Sequence, residues 1–368
     1  MLPAIGVATL PDARYTSRMR RRDFLSASIA APVAAAGLGV VKAQTPGSTA
    51  RAAVRPARLK AGDTVGLVAP ANATFNTVDL DIARESLEAL GLKVRVGDHL
   101  RDRHGYLAGQ DQDRAADING FFRDRSVAAV LPIRGGWGSA RLLPLLDYDA
   151  IAANPKIVLG FSDVTALLVG LHARTGLVTF HGPNGMGRWD AFSLDFVKRV
   201  LFGAEAVTFE PRPRSNDRNV LVPTEGRIRT ITPGTARGRL IGGNLTVLSA
   251  IAGSQYLPEW DDVILFLEDV REDIYRVDRM LTTLKLSGIL DRIKGFVFGT
   301  CDQCGPGEGF GALTFEELWA DHIAPLGIPA WAGATIGHGM PQWTLPVGTQ
   351  AEIDAAAGTI RMLEPAVS

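Results

Sequence analysis

The feature that most constrains the fold is a rhythm across residues 64–175, where short apolar runs alternate with amphipathic segments. Thr64 to Ala69 (TVGLVA) reads as a buried strand, closed by Pro70 and the polar Asn72-Ala73-Thr74. Asp79 to Leu90 puts Leu80, Ala83, Leu87 and Leu90 on one helical face, and Gly91 stops it. Strands follow at Lys93–Val96, Val127–Ile133 and Lys156–Gly160, with helical segments at Gln112–Arg123, Arg141–Leu146 and Val164–Thr175 between and after them. Strands separated by helices on short connections predict a parallel, doubly wound α/β sheet. Ligands of such sheets sit beyond the carboxyl ends of the strands.

The texture changes near Phe192. Pro211 to Asn219 (PRPRSNDRN) is charged and proline-bearing and reads as a linker. After it come Gly234–Ile241, a helix at Asn244–Ala252 and a strand at Val263–Leu267. An amphipathic helix at Arg276–Ser287 has Val277, Met280, Leu281, Leu284 and Leu286 on its apolar side. Strands at Gly295–Phe298 and Ala351–Ile353 complete a C-terminal α+β domain. The expected domains are therefore 59–190 and 234–368, joined by 191–233. The length of 368 residues agrees, since single cores stop growing beyond roughly 250–300 residues.

Residues 1–43 read as an export signal instead of structure. Arg18, Arg20, Arg21 and Arg22 precede an alanine-rich apolar stretch, Ser26 to Val41, which ends at Val41-Lys42-Ala43. Arg21-Arg22-Asp23-Phe24-Leu25 resembles the twin-arginine signature of bacterial proteins exported folded. A membrane anchor fits less well, because the stretch is short and rich in Ala and Gly. Cleavage near Ala43 leaves a polar linker, 44–58, ahead of a periplasmic chain without a stable anchor. Of 39 basic and 39 acidic residues, the segment removes six and two, leaving a net charge of −4. That balance disfavours nucleic acid as a partner.

The chemistry-bearing segments lie at strand ends. Gly160-Phe161-Ser162-Asp163-Val164 is a partial nucleophile elbow, Gly-x-Ser without the second glycine. A tight turn there would project the Ser162 hydroxyl and aim the Asp163 N–H, at a helix N-terminus, toward a developing oxyanion. Helix capping by Ser162 or Asp163 is the plainer alternative. Arg134-Gly135-Gly136-Trp137-Gly138-Ser139 also follows a strand and offers backbone N–H groups; a phosphate cradle or a simple turn are its other readings. Neither a Walker pattern nor a dinucleotide fingerprint is present.

His338, flanked by glycines on a loop, is the best placed of six histidines to act as a base, with His181 its rival. His99, His104, His172 and His322 sit among ordinary surface or helix residues. Glu268 ends an apolar strand beside Asp269; it could orient an imidazole or be a solvated acid. No two histidines have metal-ligand spacing, so no metal site is expected. Cys301-Asp302-Gln303-Cys304 has no second pair to finish a zinc site; a local disulfide and free thiols both remain open, and no catalytic role is expected.

Taken together, RGGWGSARLL (134–143), GFSDVTALL (160–168), GRLIGGNLTVL (238–248), LFLEDVREDIYRVDRML (265–281) and GHGMPQWTLPVG (337–348) resemble the L,D-carboxypeptidase family. These are serine peptidases also called muramoyltetrapeptide carboxypeptidases. The likeness runs from about Leu59 to Met362. It implies a triad of Ser162, Glu268 and His338, and an oxyanion hole from the N–H groups of Gly136 and Asp163. It further implies a homodimer, an active site between the two domains, a muropeptide substrate and no cofactor. Arg134 is the candidate for holding the substrate's terminal carboxylate. Two alternatives stand beside this: a sister branch of amidases acting on peptide-nucleotide antibiotics, and a periplasmic solute-binding protein, which needs no nucleophile.

Overall fold

The computed structural model describes residues 51–187, 189–211, 226–309, 311–339 and 341–368. The expected signal at 1–43, the first part of the linker after it and most of the Pro211–Asn219 segment lie outside these. The described residues belong to one compact unit containing two sheets.

The first sheet is built from β1 (Thr64–Val68), β2 (Lys93–Val96), β3 (Val127–Pro132), β4 (Ile157–Gly160) and β5 (Thr179–His181). Helices α1 (Thr77–Glu88), α2 (Asp111–Arg123), α3 (Tyr148–Ala153) and α4 (Thr165–Thr175) alternate with them. Asn76 caps α1 by accepting a hydrogen bond from the Val78 N–H, and Leu80, Ala83 and Leu87 are its buried face. All five strands are parallel, in the spatial order β5-β4-β3-β1-β2. That order is doubly wound, and it reverses between β1 and β3. The crevice at a reversal point is where such sheets bind ligands, and here it lies between Asn72 after β1 and the Gly-rich turn after β3. The expected helix at Arg141–Leu146 is a 3-10 turn, Ser139–Leu145, containing Pro144.

The stretch expected to link the domains carries structure of its own. Helix α5 (Ala191–Val197) is capped by Asp190, and the short β6 (Thr208–Phe209) joins the second sheet. That sheet continues with β7 (Arg229–Thr232), β8 (Thr235–Asn244), β9 (Val263–Val270), β10 (Ile293–Asp302) and β11 (Ala330–Ala332). Two further strands, β13 (Gln350–Asp354) and β14 (Thr359–Met362), complete it. Its order is β6-β14-β13-β8-β9-β10-β11-β7, with a parallel centre and antiparallel edges. Helices α6 (Leu245–Ala250) and α7 (Ile274–Leu286) belong to the same half of the chain. Val277, Met280, Leu281 and Leu284 of α7 are buried as the periodicity requires, but Leu286 is 83% exposed. Its position falls off the apolar stripe at 3.6 residues per turn.

The strand between β11 and β13 returns to the first sheet: β12 (Leu345–Val347) pairs antiparallel with β5. This returning strand ties the two halves of the chain together. Among the described residues no helix is long and apolar enough to cross a membrane.

Candidate active site

Strand β4 is fully buried and ends at Gly160. A Cβ at Gly160 would lie 2.7 Å from Asn184 Oδ1 and 2.8 Å from Val164 Cγ1, so only glycine lets the turn close. Asn184 Oδ1 in turn accepts the Phe161 N–H at 3.1 Å. Ser162 then takes φ +65°, a left-handed conformation that a serine adopts only under constraint. A 3-10 turn, Ser162–Val164, leads straight into α4. This is the strained strand-to-helix elbow expected from the sequence, and it lifts the Ser162 hydroxyl away from the sheet.

The Gly-rich turn after β3 is packed against that hydroxyl. A Cβ on Gly135 would stand 2.9 Å from Ser162 Cβ and 3.1 Å from its Oγ. Three side chains pin the turn. Asn72 Oδ1 accepts the Trp137 N–H at 3.0 Å, and Asp163 Oδ2 accepts the Ser139 N–H at 2.8 Å. The buried Arg114 guanidinium donates to the carbonyls of Pro70 and Gly138. With the N–H groups at 137 and 139 taken, those of Gly136 and Asp163 have no acceptor among the described residues. Burial pushes the Asp163 carboxyl upward, and the N–H groups it accepts from the turn oppose that.

The second sheet brings the other two groups. Glu268 is not a solvated strand end: it lies inside β9, paired with Asn244 of β8, and is 0% exposed. His338 stands on the loop before β12. Its Nδ1 is 2.7 Å from Glu268 Oε2 and its Nε2 is 2.9 Å from Ser162 Oγ. Asn244 Nδ2 donates to Glu268 Oε1 at 3.2 Å and to Asp269 Oδ1 at 2.9 Å. The Asn244 N–H donates to Thr165 Oγ1 at 3.0 Å, which ties β8, beside the carboxylate strand, to the helix behind the serine. The Phe161 ring meets the imidazole edge-on at 5.0 Å.

The electrostatics follow from this packing. Burial pulls the His338 pKa down, but the hydrogen bond and charge of Glu268, with Asp269 and Asp302 behind them, raise it above the ordinary 6.5. Burial and the neighbouring Glu268 push Asp269 up to about 6. The rival His181 lies in the core, with Phe161 and Phe266 against it and neither ring nitrogen hydrogen-bonded. Burial pushes its pKa down to about 4, so it is a neutral neighbour.

The structure therefore gathers Ser162, His338, Glu268, Gly136 and Asp163 in one place, with Arg134 immediately before Gly135. Asn72, Arg114, Asn184 and Asn244 were not singled out from the sequence. Of these, only Asn244 carried a signal, as a polar residue closing a Gly-Gly strand end. Cys301 and Cys304 form a disulfide. Among the described residues one group, His99, Asp102 and Asp113, brings three ligand atoms within 4.8 Å, and it includes no residue of this site. A serine, an imidazole and a buried carboxylate hydrogen-bonded in line, beside free backbone N–H groups, are the parts of acyl transfer.

The fold and this constellation are those of a serine hydrolase with an α/β core. Residues 65–182 match the LD-carboxypeptidase N-terminal domain and residues 237–353 the LD-carboxypeptidase C-terminal domain. The chain belongs to the LD-carboxypeptidase family. It is 38% identical to a probable murein peptide carboxypeptidase of Bacillus subtilis over 314 residues, covering 85% of this chain and 95% of that one. It is 32% identical to the murein tetrapeptide carboxypeptidase of Pseudomonas aeruginosa, over 79% of this chain and 92% of that one. The solved structure of microcin C7 self-immunity protein MccF in its apo state is similar with a TM-score of 0.76 at 30% identity, covering 86% of this chain and 100% of that one.

Proposed function

We propose that this enzyme is an exported serine L,D-carboxypeptidase that removes the terminal D-alanine from peptidoglycan tetrapeptides in the periplasm, as a homodimer. The observation that carries the reading is the unbroken line Ser162–His338–Glu268 beside two unused N–H groups. The murein peptide carboxypeptidases among its relatives support the substrate class, and the basic, alanine-rich segment at 18–43 supports the compartment.

Ser162 Oγ attacks the carbonyl of the L–D bond while His338 Nε2 takes its proton. Glu268 fixes the tautomer with the proton on Nδ1 and stabilises the imidazolium. The N–H groups of Gly136 and Asp163 receive the oxyanion, each worth about 10²–10³ in rate. His338 then gives its proton to the leaving D-alanine amine. Water, deprotonated by the same imidazole, hydrolyses the acyl-enzyme. Arg134 receives the substrate's free carboxylate. Mass spectrometry of a purified tetrapeptide muropeptide after incubation is the direct test: loss of one alanine supports the proposal, and an intact tetrapeptide overturns it.

The likeness to MccF, whose structures include a complex with aspartyl sulfamoyl adenosine, favours a second reading as an amidase of aminoacyl nucleotides. The same incubation with an aminoacyl sulfamoyl nucleoside separates the two. Under either reading His338 must be neutral to accept the serine proton. Because its pKa is raised, kcat/KM is expected to fall on acidification with a midpoint above 6.5, read from a rate profile between pH 5 and 9.

A further inference from the structure

The hydrolytic machinery makes no use of the Cys-x-x-Cys motif, yet the motif ends beside it. The last two residues of β10 re-register against β9 after a shift at Phe298/Cys301, so Cys301 pairs with Asp269 and Asp302 with Val270. The disulfide to Cys304 closes the turn, and Gln303 inside it takes φ +56°. The turn is fastened twice more, to the two residues that follow β9. The Arg271 N–H donates to the Asp302 carbonyl at 2.8 Å, and the Glu272 N–H donates to Cys304 Sγ at 3.4 Å.

Asp302 is the residue this clamp holds. A Cβ on Gly339 would lie 3.0 Å from Asp302 Oδ2 and 3.1 Å from Oδ1. Its carboxylate therefore rests against the backbone of the residue that follows His338. Oδ2 is sealed from solvent and has no hydrogen-bond partner. An oxygen in that condition carries a desolvation cost, which a cation forming nearby offsets.

We propose that Asp302, fixed by the Cys301–Cys304 disulfide, is a positioning residue for His338. It acts as a second carboxylate that braces the histidine loop and stabilises the imidazolium formed in both proton transfers. This rests on the reading of His338 as the general base. The groups that bear on the imidazole are Glu268 and Asp269 from β9, Asp302 from β10, Ser162 and Phe161 from the elbow, and the neutral His181 from β5. Asp302 is the carboxylate among them with no donor to its Oδ2, so an imidazolium is the charge that offsets that oxygen. Burial raises its own pKa and Glu268 adds to that, while His338 and, less strongly, the Thr300 hydroxyl pull it back down.

The test is a titration of the His338 ring in ¹⁵N-histidine-labelled protein, assigned by loss of its signals in His338→Gln. Asp302→Asn is expected to move the His338 midpoint to lower pH by about half a pH unit or more, with unchanged melting. Cys301→Ser/Cys304→Ser is expected to move it the same way by less. Asp302→Ser, smaller and also uncharged, must reproduce the Asn result. An unmoved midpoint in both Asp302 variants overturns the role of Asp302. A shift in those variants with none in the cysteine pair overturns the role of the disulfide. The titration needs no substrate, so an inert tetrapeptide would sink the proposed activity and leave this result standing.

Discussion

Replacing Ser162 by alanine is expected to lower kcat for tetrapeptide hydrolysis by about 10⁵–10⁶. The attacking oxygen is lost outright, and His338 Nε2, now 2.9 Å from an empty position, can activate only a poorly placed water. What remains is transition-state binding by the Gly136 and Asp163 N–H groups, which the substitution leaves in place. The fold should be untouched. Alanine accepts the same φ of +65° as serine, and the elbow is held by Gly160, Asn184 and the packed Gly135, none of which depends on the hydroxyl. The measurement is kcat by quantifying released D-alanine, alongside circular dichroism and labelling by a fluorophosphonate. A variant retaining a tenth of wild-type activity would refute Ser162 as the nucleophile.

The elbow was legible because everything it needs is local. Three buried apolar residues, a glycine, a serine and a helix start within nine positions define the turn, whatever the rest of the chain does. Glu268 was only half legible. The apolar run stops at Leu267, and a carboxylate after such a run ordinarily marks the exit from the core. Here the strand continues for three residues because β8 and β10 flank it on both sides, and that pairing is non-local. Asn244 then satisfies a carboxylate that burial alone would penalise.

The returning strand was not legible. Leu345–Val347 is three residues long and contains Pro346, so no period identifies it; its place is set by antiparallel pairing with β5, more than 160 residues upstream. That pairing matters to the site, because it anchors the loop carrying His338 to the sheet carrying Ser162. The side chains that pin the oxyanion turn escaped for a related reason. Arg114 sits on an ordinary helix face and reads as a surface cation until Pro70 and Gly138 are brought to it.

The second large effect is expected from Glu268→Gln, about a 10⁴-fold loss in kcat with the fold retained. Glutamine has nearly the same shape, so the loss comes from hydrogen-bond polarity. In the native site both carboxylate oxygens accept, Oε2 from His338 and Oε1 from Asn244. An amide has one acceptor and one donor. If its oxygen faces His338, its NH₂ points at the Asn244 NH₂, which cannot accept. If it turns over, its NH₂ faces Nδ1, and the ring must carry its proton on Nε2. That tautomer donates to Ser162 instead of accepting from it, so the base is switched off. Asn244 cannot flip to relieve the conflict, because its Nδ2 also serves Asp269 and its Oδ1 caps α6 through the Val247 N–H. A stopped-time assay of the variant checks this, and activity within tenfold of wild type would remove Glu268 from the mechanism.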